Sequence, residues 1–564
     1  MKHQTLNLTL RSLLLSSMLL PVLMWAQSSG SNTAADSDPL MKSLKVELDR
    51  SQQKLQLGNE NKPYFIQYTV TDVQSFSAEA VFGAIRRENI AHIRFLRAEV
   101  RVGDYKRDSS FGMGDGVSDL IPLDDDPIAI RHQIWLATDT AYKRALEILT
   151  EKEARLKQIE LEYQVDDFAR ANPVVAINPM LKLEYGGEDG RKRYRAMLES
   201  ASSLYHKDTK LQSLSASFDF TVLNTYLMNT EGTTVRNGRE NYSFSISAST
   251  QAPDGMRLDR GRSFAAAKIG ELLDSQHFNA ETEKILDSLA ALRSAPIVDD
   301  QYQGPVLFSP DAAADVFHDL VGNNALGRKP NLGSPARTGT EYANYFHSRV
   351  LPEFINIVDD PSMTTFEGKT LLGHYDVDEE GVKAQSVTII DKGKLASYLL
   401  GRSPIRDFPD SNGHARSSSG GSPGPNMSTL LVKASETMSR ADLEKKLIEM
   451  CKDRGLAFGY FVQTLGGISS PRLLYKVYVK DGHRELVRGA RFGDLDRRTL
   501  RSDLAAVGND AELDNRVNGV PMSIITPSIL IDEMEVRRDN TTKEKLPQYG
   551  PPPIGTSTSA KTGD

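Results

Sequence analysis

A single cysteine, Cys451, stands in 564 residues, which excludes an internal disulfide, a Cys-rich zinc module and an iron–sulfur cluster. Charge of one sign is also scarce. The 68 Lys and Arg face 75 Asp and Glu for a net of −7, so a generally basic nucleic-acid-binding protein is excluded. Only one long apolar run occurs, Ser12–Ala26, and a multi-span membrane protein is therefore ruled out. No phosphate loop, dinucleotide fingerprint or Gly-x-Ser-x-Gly elbow is found. The Gly-rich stretch Ser417–Pro425 lacks the Lys-Ser/Thr of a phosphate cradle and reads as a flexible loop.

The apolar run follows Lys2 and Arg11 and precedes Gln27-Ser28-Ser29-Gly30, the pattern of a secretory signal peptide over residues 1–27. Pro21 and a length short of about 20 residues argue against a transmembrane helix, leaving a retained anchor as the alternative. The expectation is an exported chain, periplasmic or extracellular, with no stable membrane span after cleavage. Residues 28–39 are small and polar, a linker.

The length bounds the chain at two to four domains, at roughly 150 residues each. Residues 40–300 read as an N-terminal α+β domain. A helix is expected over 40–57, strands at 64–70, 79–86 and 91–102, and a long helix from Pro127, capped by Asp126, to Gln164. Its Lys152, Arg155 and Lys157 read as a solvated face. Strands follow at 214–223, 226–229 and 242–250, with Asn237-Gly238 as the turn between the last two. Helical periodicity returns from Ser263 to Leu292, and Pro296–Gly304 reads as a boundary loop. Residues 304–538 form a second domain. Short strands dominate it, interrupted by helices at 311–320, 440–451 and 498–507. The stretch 539–564 reads as a disordered tail. The fold class expected is α+β: a mixed α/β N-terminal domain, then a mostly antiparallel, β-rich C-terminal one.

The most informative stretch is Val316–Gly327, where His318 and Asp319 stand side by side near a helix end. In a metallohydrolase the imidazole would bind zinc and the adjacent carboxylate would take a proton from bound water. One histidine does not hold zinc, however, and His318 taken alone reads as a surface or helix-end residue. Asp376–Gly381 opens like a calcium loop, but no bidentate acid follows at the required distance, so it reads as a turn. Asp359-Asp360-Pro361 reads as a turn start, and Cys451 as a half-buried helical residue with no catalytic role.

These pieces, in this order, resemble the TldD/TldE (PmbA) family of metallopeptidase-like proteins. The resemblance is carried by Gly304–Phe308 leading to His318, Asp359-Asp360, Asp378–Val382, Ile390–Leu395 and Asn412-Gly413-His414-Ala415-Arg416 before Pro425–Ser428. Gly466-Gly467 and Ala506–Asp510 continue it, and Asn229-Thr230-Glu231-Gly232 is similar to the family's Asn-Ser-Glu-Gly turn. It spans 215–536 well and the first 200 residues weakly.

Active peptidases of that family carry His-Glu-x-x-x-His and a downstream Cys, together binding zinc. Mapped onto this chain, only His318 survives. The Glu is Asp319, the second His is Asn323, and the stretch 515–521 contains no Cys. In a regular α-helix the fifth residue along lies about 140° round, so the family spacing requires the helix to end or distort between the two positions; Gly322 permits that. The resemblance thus implies a degenerate zinc site in a TldE-type, non-catalytic, chamber-forming subunit. Such a subunit would have no cofactor, a peptide or unfolded segment as its ligand, and a homodimer or a TldD-like subunit as its partner. Two alternatives stand beside it. One is an active exported zinc peptidase with altered ligands, His318 with Asp319 and His414 or His374; the other is an exported, non-enzymatic binding protein.

Overall fold

The computed structural model describes residues 38–111, 116–298, 301–418, 421–493, 495–517, 519–539, 543–550 and 552. The signal peptide and most of the linker and tail expected from the sequence lie outside the described residues.

Two 19-residue strands, β1 (Pro63–Val81) and β2 (Ala84–Val102), form one long hairpin, paired from Pro63 opposite Val102 to Val81 opposite Ala84. Phe82 and Gly83 close it with φ of 50° and 83°, the two left-handed residues that a tight hairpin turn demands. Further members of the sheet are β3 (Gly116–Leu120), β4 (Val175–Ile177), β5 (Leu211–Asn229), β6 (Thr234–Gln251) and β7 (Arg257–Ala266). The order is β3-β2-β1-β5-β6-β4, with β7 also on β6.

Alternation along the strands gives the sheet one apolar face. Tyr68, Val70, Phe76, Ala78 and Ala80 of β1 share a parity and are all buried. One end of that face lies under helices α1 (Pro39–Lys54) and α2 (Pro127–Leu156), where Leu44, Ile130 and Ile134 meet Tyr68, Leu96 and Tyr226. Its other end lies under α3 (Gly187–Ser203) and α4 (Ser275–Ser294), where Leu198, Phe278 and Leu289 meet Phe76, Phe220 and Phe244.

The region beyond carries two large sheets and two short two-stranded ones, 365–366 with 369–370 and 415–416 with 424–425. Of the large sheets, one runs in the order 394–395, 387–391, 355–359, 429–434, 522–526, 512–516; the other in the order 484–487, 471–478, 458–465, 301–308, 529–538, 490–492. Helix α5 (Pro310–Phe317) lies between them, and its Ala313, Val316 and Phe317 join Phe308, Ile357, Leu430, Val462 and Ile524 in one core. Helices α6 (Arg440–Asp453) and α7 (Arg497–Ser502) complete an α+β molecule whose N-terminal α/β layer pair precedes a β-rich C-terminal part.

Several sequence expectations are corrected. Asn237-Gly238 is no turn; it lies inside β6, and Asn229–Thr233 turns the chain instead. Gly238 is required there because a Cβ would fall 2.5 Å from Leu181 Cγ. Ser263–Ala266 is strand, and α4 begins at Ser275 after an Asp274 N-cap. Helix α2 stops at Leu156 rather than Gln164, so that the chain returns to place Asp167 Oδ2 2.5 Å from Lys152 Nζ. Lys152 is thus buried in an ion pair, not solvated. Residues 504–507 are a strand paired with 529–531 rather than the end of a helix. Strand 301–308 begins inside the expected boundary loop, and the linker ends where Asp38 caps α1.

Candidate functional site

Ser309 starts α5 by accepting the Ala312 N–H and donating its hydroxyl to Gln463 O, with Pro310 supplying the fixed φ of a first helical turn. At His318 the helix widens. The Asn323 N–H donates to His318 O, five residues back, so His318–Gly322 is a single π turn. The extra residue per turn brings together side chains that an α-helix would hold apart. His318 Nδ1 lies 2.6 Å from Asp319 Oδ1, and Asn323 Nδ2 lies 3.5 Å from the same oxygen. Met427 presses against the turn so closely that a Cβ on Gly322 would fall 2.1 Å from its Sδ. The helix distortion implied by the family spacing is therefore present, as a π turn.

Strand 512–516 packs beside α5. Its Arg516 binds Asp315 Oδ1 at 2.8 Å and Asp514 Oδ2 at 2.6 Å. Burial, with Asp514 adding to it, pushes the Asp311 carboxyl up to about 6; burial likewise raises Asp315 despite Arg516. In the stretch where the family resemblance expects a Cys ligand, Asn515 is fully committed. It accepts from Leu372 N–H and Ser523 Oγ and donates to Thr370 O. Asn518 lies outside the described residues.

The donors on this turn are one imidazole, a short carboxylate and an amide. Zinc sites use three or four His, Cys or acidic ligands, so this set does not fit a zinc ion. Neither histidine offered as a substitute joins it. His414 is fully buried, its Nδ1 3.0 Å from Asn412 Oδ1 and its Nε2 3.3 Å from Asp359 Oδ1. His374 Nδ1 donates to Pro361 O at 2.9 Å. Among the described residues no three His, Cys, Asp or Glu side chains converge as a metal centre. Cys451 is wholly buried rather than half-buried, and burial pushes its thiol up to about 11, far from a reactive thiolate.

A second cluster lies where loops 374–380 and 412–417 meet the uncovered face of the N-terminal sheet. Asp378 ties the loop, accepting from the Glu380, Val382 and Ala415 N–H groups. Glu380 accepts from Arg402 N–H, and Arg402 pairs with Glu231 Oε2 at 2.7 Å, which joins the β5–β6 turn to the C-terminal part. Asp359 accepts from Ser428, Thr429 and His414; burial opposes its charge, but the His414 and Ser428 hydrogen bonds prevail and hold its carboxyl below the usual range. Arg239 and Arg416 line a cavity of about 190 Å³ with Glu379 and His374. Sequence reasoning did not single out either arginine. Arg416 lay in view at the end of Asn-Gly-His-Ala-Arg, whereas Arg239 carried no signal, because only sheet pairing brings it there.

A short helix opening into a π turn thus lies between two sheets, beside a helix-covered α/β layer. Residues 301–538 match the family described as PmbA/TldA metallopeptidase C-terminal domain. Over that region the chain resembles the TldD/TldE (PmbA) family. It is similar to a metalloprotease of Archaeoglobus fulgidus, 27% identical over 221 residues, which covers 37% of this chain and 48% of the relative. A metalloprotease of Methanocaldococcus jannaschii is 25% identical over 132 residues, 23% of this chain and 27% of that one. The matched region thus spans half or less of these curated relatives. In fold the chain resembles TldE from Thermococcus kodakarensis, with a TM-score of 0.57 at 13% identity over 88% of this chain and 100% of the other.

Proposed function

We propose that this chain is a non-catalytic, chamber-forming subunit in peptide processing, of the TldE type, that pairs with a zinc-bearing TldD-like subunit or with itself. The observation that carries the reading is Asn323: its amide and the His318 imidazole both reach Asp319 Oδ1 on the π turn, and an amide is a poor zinc donor. The bend that the family's ligand spacing needs is kept while the donors are not. On this reading the chain binds no zinc, and its ligand is a peptide or an unfolded protein segment. The run at 12–26 supports export, with the periplasm or the cell exterior as the place of action.

Elemental analysis of the purified protein, combined with peptide hydrolysis with and without chelator, tests the reading. Substoichiometric zinc and no chelator-sensitive hydrolysis are expected, together with recovery of a His-Glu-x-x-x-His-bearing chain or a second copy in a pull-down. Stoichiometric zinc lost in His318→Ala would instead establish an active peptidase with altered ligands. Mass spectrometry of the mature protein is expected to find an N-terminus near Gln27.

A further inference from the structure

The uncovered face of the N-terminal sheet and loop 374–379 enclose a cavity of about 190 Å³. That is below the roughly 300–1,000 Å³ of pockets for whole small molecules, and it suits a chain end or a single side chain. Two guanidinium groups enter it. Arg416 is 3% exposed; its Nη1 donates to Met427 O at 2.7 Å, and its plane lies 4.9 Å from the Tyr375 ring centre. Its Nη2 is buried and has no acceptor among the described residues. Arg239 enters from β6, and its buried Nε also lacks an acceptor. Glu379, which also lines the cavity, accepts from Ser417 Oγ.

Leaving buried N–H groups of a charged side chain without an acceptor costs more than leaving neutral ones. Both side chains with such groups line this one cavity, beside Asp376, Asp378 and Glu379, and an added anion would supply the missing acceptors. Burial first, and Arg416 after it, lower the Arg239 guanidinium to about 10, with Glu379 opposing both. A planar carboxylate matches the forked donors of arginine and would relieve both deficits at once.

We propose that this cavity is a carboxylate pocket, in which Arg239 and Arg416 hold the carboxylate of a bound peptide, from its C-terminus or from an Asp or Glu side chain. The peptide origin of the carboxylate rests on the function proposed above; the anion preference does not. The pocket also touches the π turn indirectly, because the residue whose carbonyl Arg416 holds, Met427, is the one packed against Gly322.

The test is calorimetry of the full chain with three probes: acetyl-trialanine as the free acid, the same peptide as its C-terminal amide, and acetyl-Ala-Glu-Ala-amide. The free acid, the Glu-bearing amide or both are expected to bind at least tenfold tighter than the plain amide, and which of them does so names the source of the carboxylate. In Arg239→Gln that preference is expected to fall to about twofold, while Arg239→Lys keeps part of it. Equal affinities for all three probes, no binding of any, or a preference unchanged in Arg239→Gln would overturn the proposal. Arg416 is left intact because it also supports Met427 and Tyr375. An acid preference without any recovered partner chain would uphold the pocket and sink the subunit reading; a recovered partner with no acid preference would do the reverse.

Discussion

The Asn323 N–H donates to the carbonyl of His318, five positions back, and this one bond turns the end of α5 so that His318, Asp319 and Asn323 meet on one side. Asn323→His places a second imidazole at the matching position, and zinc affinity is expected to rise at least tenfold, since a second strong ligand replaces a weak one. Competition against a chromophoric chelator measures it. Unchanged affinity would mean that the two positions do not face a common point.

Gly322 is the residue on which the turn depends sterically. Gly322→Ala drives a Cβ to within 2.1 Å of Met427 Sδ in a fully buried contact, and a loss of about 2 kcal/mol is expected from the overpacking. In the Gly322→Ala, Met427→Ala double variant the extra methyl has room, so the two losses are expected not to add. Urea unfolding of the four proteins checks both statements.

A similar argument applies to Gly238 in β6. Gly238→Ala meets Leu181 Cγ at 2.5 Å and Asn224 Oδ1 at 3.1 Å, while Asn224 holds both the N–H and the carbonyl of Leu181. Destabilisation by about 1–3 kcal/mol is expected. It should be accompanied by faster amide exchange at Leu181, whose N–H loses its partner when the segment is displaced.

Buried acids in this cluster give pH dependences of opposite sign. Hydrogen bonds from His414 and Ser428 hold Asp359 below the usual carboxylate range against the burial that would raise it. Its stabilisation is present at neutral pH and is lost as pH falls below about 4. Burial raises both Asp378 and Glu380, and the two also repel one another. The folded state then holds protons that the unfolded state has released, so this pair loses stability as pH rises from about 4 toward neutrality and beyond. Glu380→Gln is expected to flatten the stability decline on the neutral side, and Asp359→Asn the decline on the acid side. Denaturant midpoints measured from pH 3 to pH 8 distinguish the two, and a swap of these effects would contradict both assignments.

Asp359→Ala removes the acceptor shared by Ser428, Thr429 and His414 in a site closed to water. About 3 kcal/mol is expected to be lost, because four buried donors on those three residues are left without it. A thermal melt with a loss under about 1 kcal/mol would show that the cluster rearranges around the gap.

Local chemistry was legible in the sequence wherever it is decided by neighbours along the chain. Asp126-Pro127 announced the start of α2, and the alternation in 93–102 announced β2. The family motifs around His318, Asp378 and His414 announced the C-terminal architecture. What misled was composition read without partners: Asn237-Gly238 has hairpin chemistry but is a site of close packing in β6, and Lys152 has a surface charge but a buried counterion.

Residue identity alone set which donors the turn at His318 can offer, because a side chain's chemistry does not depend on the fold. Tertiary structure decided that Arg239 of a strand and Arg416 of a distant loop would share one cavity, and that Arg402 would clasp the β5–β6 turn through Glu231. Such meetings depend on sheet register and on the burial of one layer against another. They are set by the packing of the whole chain, and no short stretch of it encodes them.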